Sequence, residues 1–291
     1  MLTAVLVAIL AGCGSLAERA MGQQPFTRQG SKLVVGASGD FQKALDAAQP
    51  GETIVLQSGA AYRGRFVLPK KAGEDYITIQ GSAADQLPPA DTRVKPEHAK
   101  VMPKVVARED IALYTAPGAH HYRLLGLEIQ PDAGKYVTDL VMLGTTEEKS
   151  EADLPHHIEI DRSVLHGDPT RGGKRGVAFN GRELTVKNSH VVDFFSDFQD
   201  TQAVGGWNGP GPFHIVNNRL EASGENVLLG GADPQMRTSA NTASGSTTTS
   251  INVDLGTIRA GHTLANSMQV DMSVAIAINA TTRVDPRFNA V

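Results

Sequence analysis

A single cysteine in 291 residues, Cys13, leaves no internal disulfide framework and no multi-cysteine metal site. That cysteine lies in the N-terminal apolar segment, so cysteine-nucleophile chemistry loses support too. No Gly-x-Ser-x-Gly elbow occurs, which counts against a serine-hydrolase nucleophile turn. Neither sign of charge dominates: 27 Lys plus Arg stand against 31 Asp plus Glu, for a formal net charge of -4. No nucleic-acid or polybasic membrane-surface role is therefore expected. Aromatics make up only 5%, with one Trp. Glycine, by contrast, reaches 30 residues and hydrophobic residues 41%, enough for a sizeable core and against wholesale disorder. Scarce aromatics with abundant glycine suit thin, repetitive β architecture.

The apolar run Leu2 to Leu10 is too short to span a bilayer and fits the core of a secretory signal. Leu10-Ala11-Gly12-Cys13 has the pattern of a bacterial lipobox, in which cleavage leaves a lipid-modified Cys13; no Lys or Arg precedes the run. The expectation is an exported protein of the bacterial envelope, lipid-anchored through residues 1–13, with ordinary secretion as the alternative. Residues 14–32 read as a tether.

Asp40 is placed as an N-cap, and Phe41, Ala44, Leu45 and Ala48 form one helical stripe stopped by Pro50-Gly51. Short β-like runs follow at Thr53–Leu56, Tyr62–Val67 and Tyr76–Ile79. From residue 122 a degenerate repeat appears: Leu127-Glu-Ile129, Ile158-Glu-Ile160, Leu184-Thr-Val186 and Phe213-His-Ile215, apolar residues inward. Two members are followed by asparagines, Asn188 and Asn217-Asn218, suited to tight left-handed turns and to amide bonding along a stack. A second strand type includes Leu140 to Gly144, Val177 to Gly181, Ala203 to Trp207 and Val227 to Gly231; a third follows the Asn turn. Three short strands per repeat describe a three-faced parallel coil over residues 33–235, capped by the helix. Residues 236–250 read as a Ser/Thr-rich linker and 251–291 as a β tail, in which Met268, Val270, Met272, Val274, Ile276 and Ile278 alternate strictly.

The cap helix with Pro50-Gly-Glu-Thr-Ile-Val-Leu56, Gly206-Trp-Asn-Gly-Pro-Gly-Pro-Phe213, Val216-Asn-Asn-Arg-Leu-Glu221 and Gly230-Gly-Ala-Asp-Pro234 resemble the pectin-lyase-like superfamily. The resemblance implies an all-β, right-handed, single-stranded parallel β-helix. It is specific for fold and poor for reaction, because the fold hosts lyases, hydrolases, epimerases, esterases and adhesins.

In such a coil, equivalent residues of successive repeats lie about 4.8 Å apart and form ladders. Aligning the second strand type gathers Asp139, Arg175, Asp200, Gln202 and Glu225 at one edge, with Asn180, Trp207 and Asn208 at the other, over a floor that includes Ala178, Val204, Gly206 and Leu228. Arg175, with Lys174 and Arg171 nearby, suits bidentate pairing with substrate carboxylates. By the resemblance Arg175 is the named base, with Lys174 beside it. Arg171, Asn180, Gln202 and Trp207 are placed as substrate contacts, and Asp139, Asp200 and Glu225 as oxygen ligands for Ca²⁺. The functional expectation is a monomeric lyase acting on an acidic, uronate-containing polysaccharide. A glycoside hydrolase and a non-catalytic carbohydrate-binding or adhesion protein are the alternatives. Two further groups are set lower: the pairs His120-His121 and His156-His157, whose neighbours should point to opposite faces and so chelate poorly, and Glu128 with Glu159 as a carboxylate pair on one face.

Overall fold

The computed structural model describes residues 24–230 in full and, as backbone, the strands Thr248–Leu255, Ala265–Val270 and Ala275–Thr282. The expected signal, Cys13 and most of the expected linker lie outside the described residues. The chain winds as a right-handed parallel β-helix with three faces. Face A stacks Lys32–Val35, Thr53–Leu56, Ile77–Gly81, His120–Leu125, His156–Asp161, Arg182–Lys187 and the first half of Phe213–Ala222. Face B stacks Ala61–Gly64, Lys104–Ala107, Glu128–Pro131, Val164–His166, His190–Phe194 and the second half of Phe213–Ala222. Face C stacks Phe66–Leu68, Leu113–Thr115, Asp139–Leu143, Arg175–Phe179, Gln202–Gly206 and Glu225–Leu229.

Alternation along each strand sends every second residue inward, where coils superimpose like on like. On face A, Leu33, Ile54, Ile79, Leu124, Ile160, Val186 and Ile215 form one ladder, all fully buried. On face C, Val141, Val177, Val204 and Val227 do the same. Asp40 caps the helix Phe41–Ala47 by accepting the Lys43 N–H at 3.0 Å. Phe41 drives its ring into the open end of the core, 4.7 Å from Phe66 and 5.9 Å from Tyr62.

The register corrects three sequence expectations. Ile160 pairs with Leu124, not Ile129; Ile129 lies on face B beside Leu165. Both faces carry the same apolar-polar-apolar triplet, so the sequence alone does not separate them. Val204 and Gly206 also point inward, and the outward row is Met142, Ala178, Gly205 and Leu228. Residues 27–32, placed in the tether, already hold a strand, Thr27–Gln29, which closes the face A edge antiparallel to Lys32–Val35. At the other end, Thr248–Leu255 and Ala265–Val270 continue faces A and C in parallel, so the tail stacks on the last coil.

The corner between faces A and B is the tightest. In successive coils it consists of 126–127, 162–163, 188–189 and 217–218, and its first residue is left-handed each time: Gly126, Arg162, Asn188 and Asn217, at φ 62°, 45°, 53° and 53°. Side chains of the second residue satisfy the preceding coil: Ser163 Oγ accepts Leu127 N–H at 3.1 Å, Ser189 Oγ accepts Ser163 N–H at 3.0 Å, and Asn218 Oδ1 accepts Ser189 N–H at 2.9 Å. Asn217 donates to Asn188 Oδ1 at 2.8 Å, and Asn188 to Asp161 Oδ1 at 3.0 Å. Two coils depart from this pattern: the first turns from Leu56 to Ala61 through residues 57–60, and between Gly81 and Lys104 the chain makes an excursion, residues 82–103, that runs back along the corner. Arg162 donates to Pro88 O, Val94 N–H to Asn188 O, and Arg93 to Asn218 O, at 2.9, 2.9 and 3.0 Å.

Candidate functional site

Four of the five residues that the alignment groups do come together on face C, in a register one residue off for Leu140 and Ala203, since Val177 pairs with Val141 and Val204. Asp139, Arg175, Gln202 and Glu225 sit opposite one another on four successive coils. The Arg175 guanidinium pairs with Asp139, its Nε donates to Gln202 Oε1 at 3.2 Å, and Gln202 Nε2 donates to Glu225 Oε2 at 3.3 Å. The guanidinium lies 4.3 Å over the Trp207 ring. Gly205 makes room for this: a Cβ there would meet Arg175 Nε at 2.9 Å.

This arrangement closes the site that the sequence suggested. The Arg175 side chain is only 8% exposed, with Asp139 and Gln202 bonded to it and the Trp207 ring against it. It does not present a base to a sugar. Gln202 and Asn180 are buried, so neither serves as a substrate contact. Asn180 Oδ1 accepts the Trp207 and Asn208 N–H groups at 2.9 and 3.0 Å and shapes that turn. Lys174 is half-buried and contributes its backbone, accepting from Gln202 N–H at 2.8 Å. Arg171 is exposed on a loop organised by Asp168, away from this ladder. Burial works against the Asp168 charge, but hydrogen bonds from Thr170, Gly134 and Arg171 outweigh it and hold the carboxyl down to about 2. The three expected Ca²⁺ ligands do not fit one ion. Asp139 and Glu225 are three coil steps apart, about 14 Å at 4.8 Å per step, and Asp200 lies exposed before its strand, outside the ladder.

A cleft that the sequence did not assemble lies on face B. Its volume is about 450 Å³, and it is lined by Pro96, Ala99, Glu128, Val164, His166, Pro169, His190, Val192, Asp193, Arg219 and Glu221. Glu128, Val164, His190 and Arg219 occupy one outward row of successive coils, and the excursion supplies a wall through Pro96 and Ala99. Glu128 and Glu159, expected on one face, are on different ones; Glu159 pairs with Arg123 and Lys187 on face A, at 2.9 and 3.1 Å. Glu128 pairs with Lys104 and, at 3.3 Å, with His166 Nε2, while His166 Nδ1 faces Gly167 O at 2.9 Å. A carbonyl and a carboxylate both accept, so the surroundings of His166 favour an N–H on each ring nitrogen. Burial opposes that charge, but the bond to Glu128, the Gly167 carbonyl and the nearby Asp193 charge raise the His166 pKa above its ordinary value. Burial likewise favours a neutral Glu128, yet the bonds from His166 and Lys104 pull it below the usual carboxylate range. Arg219 holds Glu221 at 3.2 Å. A periodicity argument finds inward residues well; it missed this cleft because face B was read for only two of its coils.

No protein-family model matches the chain, and no curated protein matches it. Solved structures similar to it include an alginate lyase from Paenibacillus sp. str. FPU-7, at TM-score 0.46 and 13% identity over 87% of this chain and 93% of that one. A pectin methylesterase from Aspergillus niger, in deglycosylated form, gives TM-score 0.38 and 10% identity over 89% and 87%. Pectate lyase Pel9A gives TM-score 0.26 and 13% identity over 89% and 80%. These are likenesses of winding, and the chemistry is read from the residues of the cleft.

Proposed function

We propose that the protein is a carbohydrate-active β-helix that binds an acidic, uronate-containing glycan in the face B cleft and cleaves it by β-elimination. The observation that carries this reading is His166 set between Glu128 and the Gly167 carbonyl, in the same cleft as His190 and Arg219. Elimination from a uronate needs its carboxylate neutralised, the neighbouring C5 proton removed and the leaving oxygen protonated. Arg219 suits the first task as a bidentate donor. His190 takes the C5 proton, the C5–H electron pair becomes the C4=C5 double bond, and the C4–O bond breaks. The departing oxygen takes the His166 Nε2 proton as that N–H turns from Glu128 to the leaving group, while Nδ1–H stays on the Gly167 carbonyl. A glycoside hydrolase instead needs a carboxyl kept protonated as the acid; Glu128, held below its ordinary range, is the opposite.

The test is the ultraviolet absorbance of the unsaturated product on pectate, alginate and glycosaminoglycans. His190→Gln should abolish turnover and keep binding, and Arg219→Ala should raise KM more than it lowers kcat. Binding without turnover in the wild type selects a non-catalytic carbohydrate-binding protein; no binding to any uronate polymer overturns the reading. Export through a lipid anchor is part of the proposal and rests on Leu10 to Cys13. Cys13→Ser should move the protein out of the membrane fraction. Among the described residues, no helix is long and apolar enough to cross a membrane.

A further inference from the structure

Two His-His pairs, His120-His121 and His156-His157, are superimposed one coil apart at the corner where face A begins. In a regular strand, adjacent side chains diverge to opposite faces. Here they do not, because His121 and His157 are left-handed, at φ 56° and 52°. Each pair is therefore folded together, with Nδ1 to Nδ1 at 2.8 Å in both. Stacking brings the pairs onto each other: His120 on His156 at 4.7 Å and 12°, His121 on His157 at 4.4 Å and 9°. All four rings are half-buried and reachable from solvent.

We infer that this corner is a binding site for a divalent first-row transition-metal ion of the Zn²⁺ type, held by His121, His156 and His157. Ligand nitrogens of these three lie within 4.8 Å of one another. Around a tetrahedral zinc with bonds of about 2.0–2.1 Å, nitrogens sit roughly 3.4 Å apart, so small ring rotations close the site. The donors are imidazoles, which suit Zn²⁺, Ni²⁺ and Cu²⁺ and not Ca²⁺. His157 Nε2 is bonded to Glu183, the residue one coil further on, itself left-handed at φ 52°. A carboxylate accepting that N–H leaves His157 Nδ1 as a lone pair for the metal and orients the ring, the usual carboxylate–histidine support of a metal site. Tyr76 closes the opposite side, with its ring 5.2 Å from His121.

The charges around the corner are mixed. Glu183 and Glu74 favour a cation, while Lys70 and Arg182 oppose one; Arg182 is itself bonded to Glu183 at 3.3 Å. Partial burial, followed by Arg182 and the other histidines, lowers His156 to about 3, and burial with neighbouring cationic groups lowers His120 and His121 as well. Once bound, the ion ties the strand His120–Leu125 to His156–Asp161 across the coil boundary, and it belongs to a corner separate from the face B cleft.

The experiment uses the untagged full chain and Zn²⁺ alone, by calorimetric titration and thermal melting. The wild type should bind one equivalent and melt at a higher temperature with zinc. Asn tolerates the left-handed backbone, so the double variant His121→Asn/His157→Asn keeps the corner's fold and should lose both effects. Glu183→Gln should weaken zinc binding by about 10–100-fold. Wild type without binding heat or melting shift, or a double variant that folds and binds zinc as the wild type does, would overturn the assignment. His156→Ala gives an independent check: it leaves both left-handed positions untouched and should also lose binding.

Discussion

Replacing Arg175 by Ala separates a buried scaffold from a catalytic base. The guanidinium has an ion pair with Asp139, a 3.2 Å bond to Gln202 Oε1 and the Trp207 ring at 4.3 Å, in a side chain 8% exposed. Removing one partner of a buried pair costs about 3–5 kcal/mol, chiefly through the stranded charge. Asp139 keeps 13% exposure, which favours the lower end of that range. Loss of a desolvated cation–π contact adds up to about 2 kcal/mol, not fully additive because one group makes both contacts. A net loss of about 4 kcal/mol corresponds to roughly 8–16 °C in Tm for a domain of this size. Thermal unfolding followed by circular dichroism measures it. Trp207 is the only tryptophan, so its emission should also change as its cationic cover goes. Asp139→Asn in the Arg175→Ala background should recover part of the loss by removing the stranded carboxylate. An Arg175→Ala protein with unchanged Tm and unchanged emission would refute the reasoning. Lost turnover at unchanged Tm would return Arg175 to the role of base.

Ile160→Asp puts an unpaired carboxylate between Leu124 and Val186; a loss above about 4 kcal/mol is expected from denaturant unfolding. Asn218→Ala strands the buried Ser189 N–H and Val186 C=O, which Asn218 bonds at 2.9 and 2.8 Å; about 2–3 kcal/mol should be lost in the same assay. Glu128→Gln should lower the pKa of His166 in an NMR titration. With Glu128 depressed, the pair's stabilisation is present above the ordinary carboxylate value and fades as pH falls through the depressed one. With His166 raised, it is present below the ordinary histidine value and fades as pH rises through the raised one, so the variant should flatten both limbs. An unshifted His166 would remove the acid from the proposed elimination.

The coil, the cap and the asparagine turns were legible because each follows from local chemistry: a helical stripe behind Asp40, alternation toward a core, and residues that accept positive φ. The members of the face C ladder were legible as well, since Asp139, Arg175, Gln202 and Glu225 all begin strands of one type. What the ladder does was not legible. Whether Arg175 reaches outward or lies down on Gly205 depends on the missing Cβ one coil away. Register was legible to within one residue, and a slip of one exchanged Val204 with Gly205 between core and floor. The histidine corner was hidden by the alternation rule itself, which His121 and His157 break without being glycine or asparagine. The face B cleft needed four coils and a distant excursion to be in place at once.

The two-residue corner has a consequence for how such a molecule can change. Because its polar groups are satisfied from coil to coil, a residue added there would shift every ladder beyond it. The remaining corners have no such fixed length, and the long exception on this edge, residues 82–103, is not absorbed into the stack but lies along it, bonded to the Asn188 and Asn218 carbonyls and to the Arg162 side chain. The spine of serines and asparagines therefore works as a rail onto which extra chain can be clipped. Pro96 and Ala99, the cleft wall, ride on that clipped segment. Cleft width and depth can then be edited by exchanging the excursion while Glu128, His166, His190 and Arg219 keep the spacing set by the coil, so that the shape of the cleft and the spacing of its polar groups become separately heritable parts of one chain.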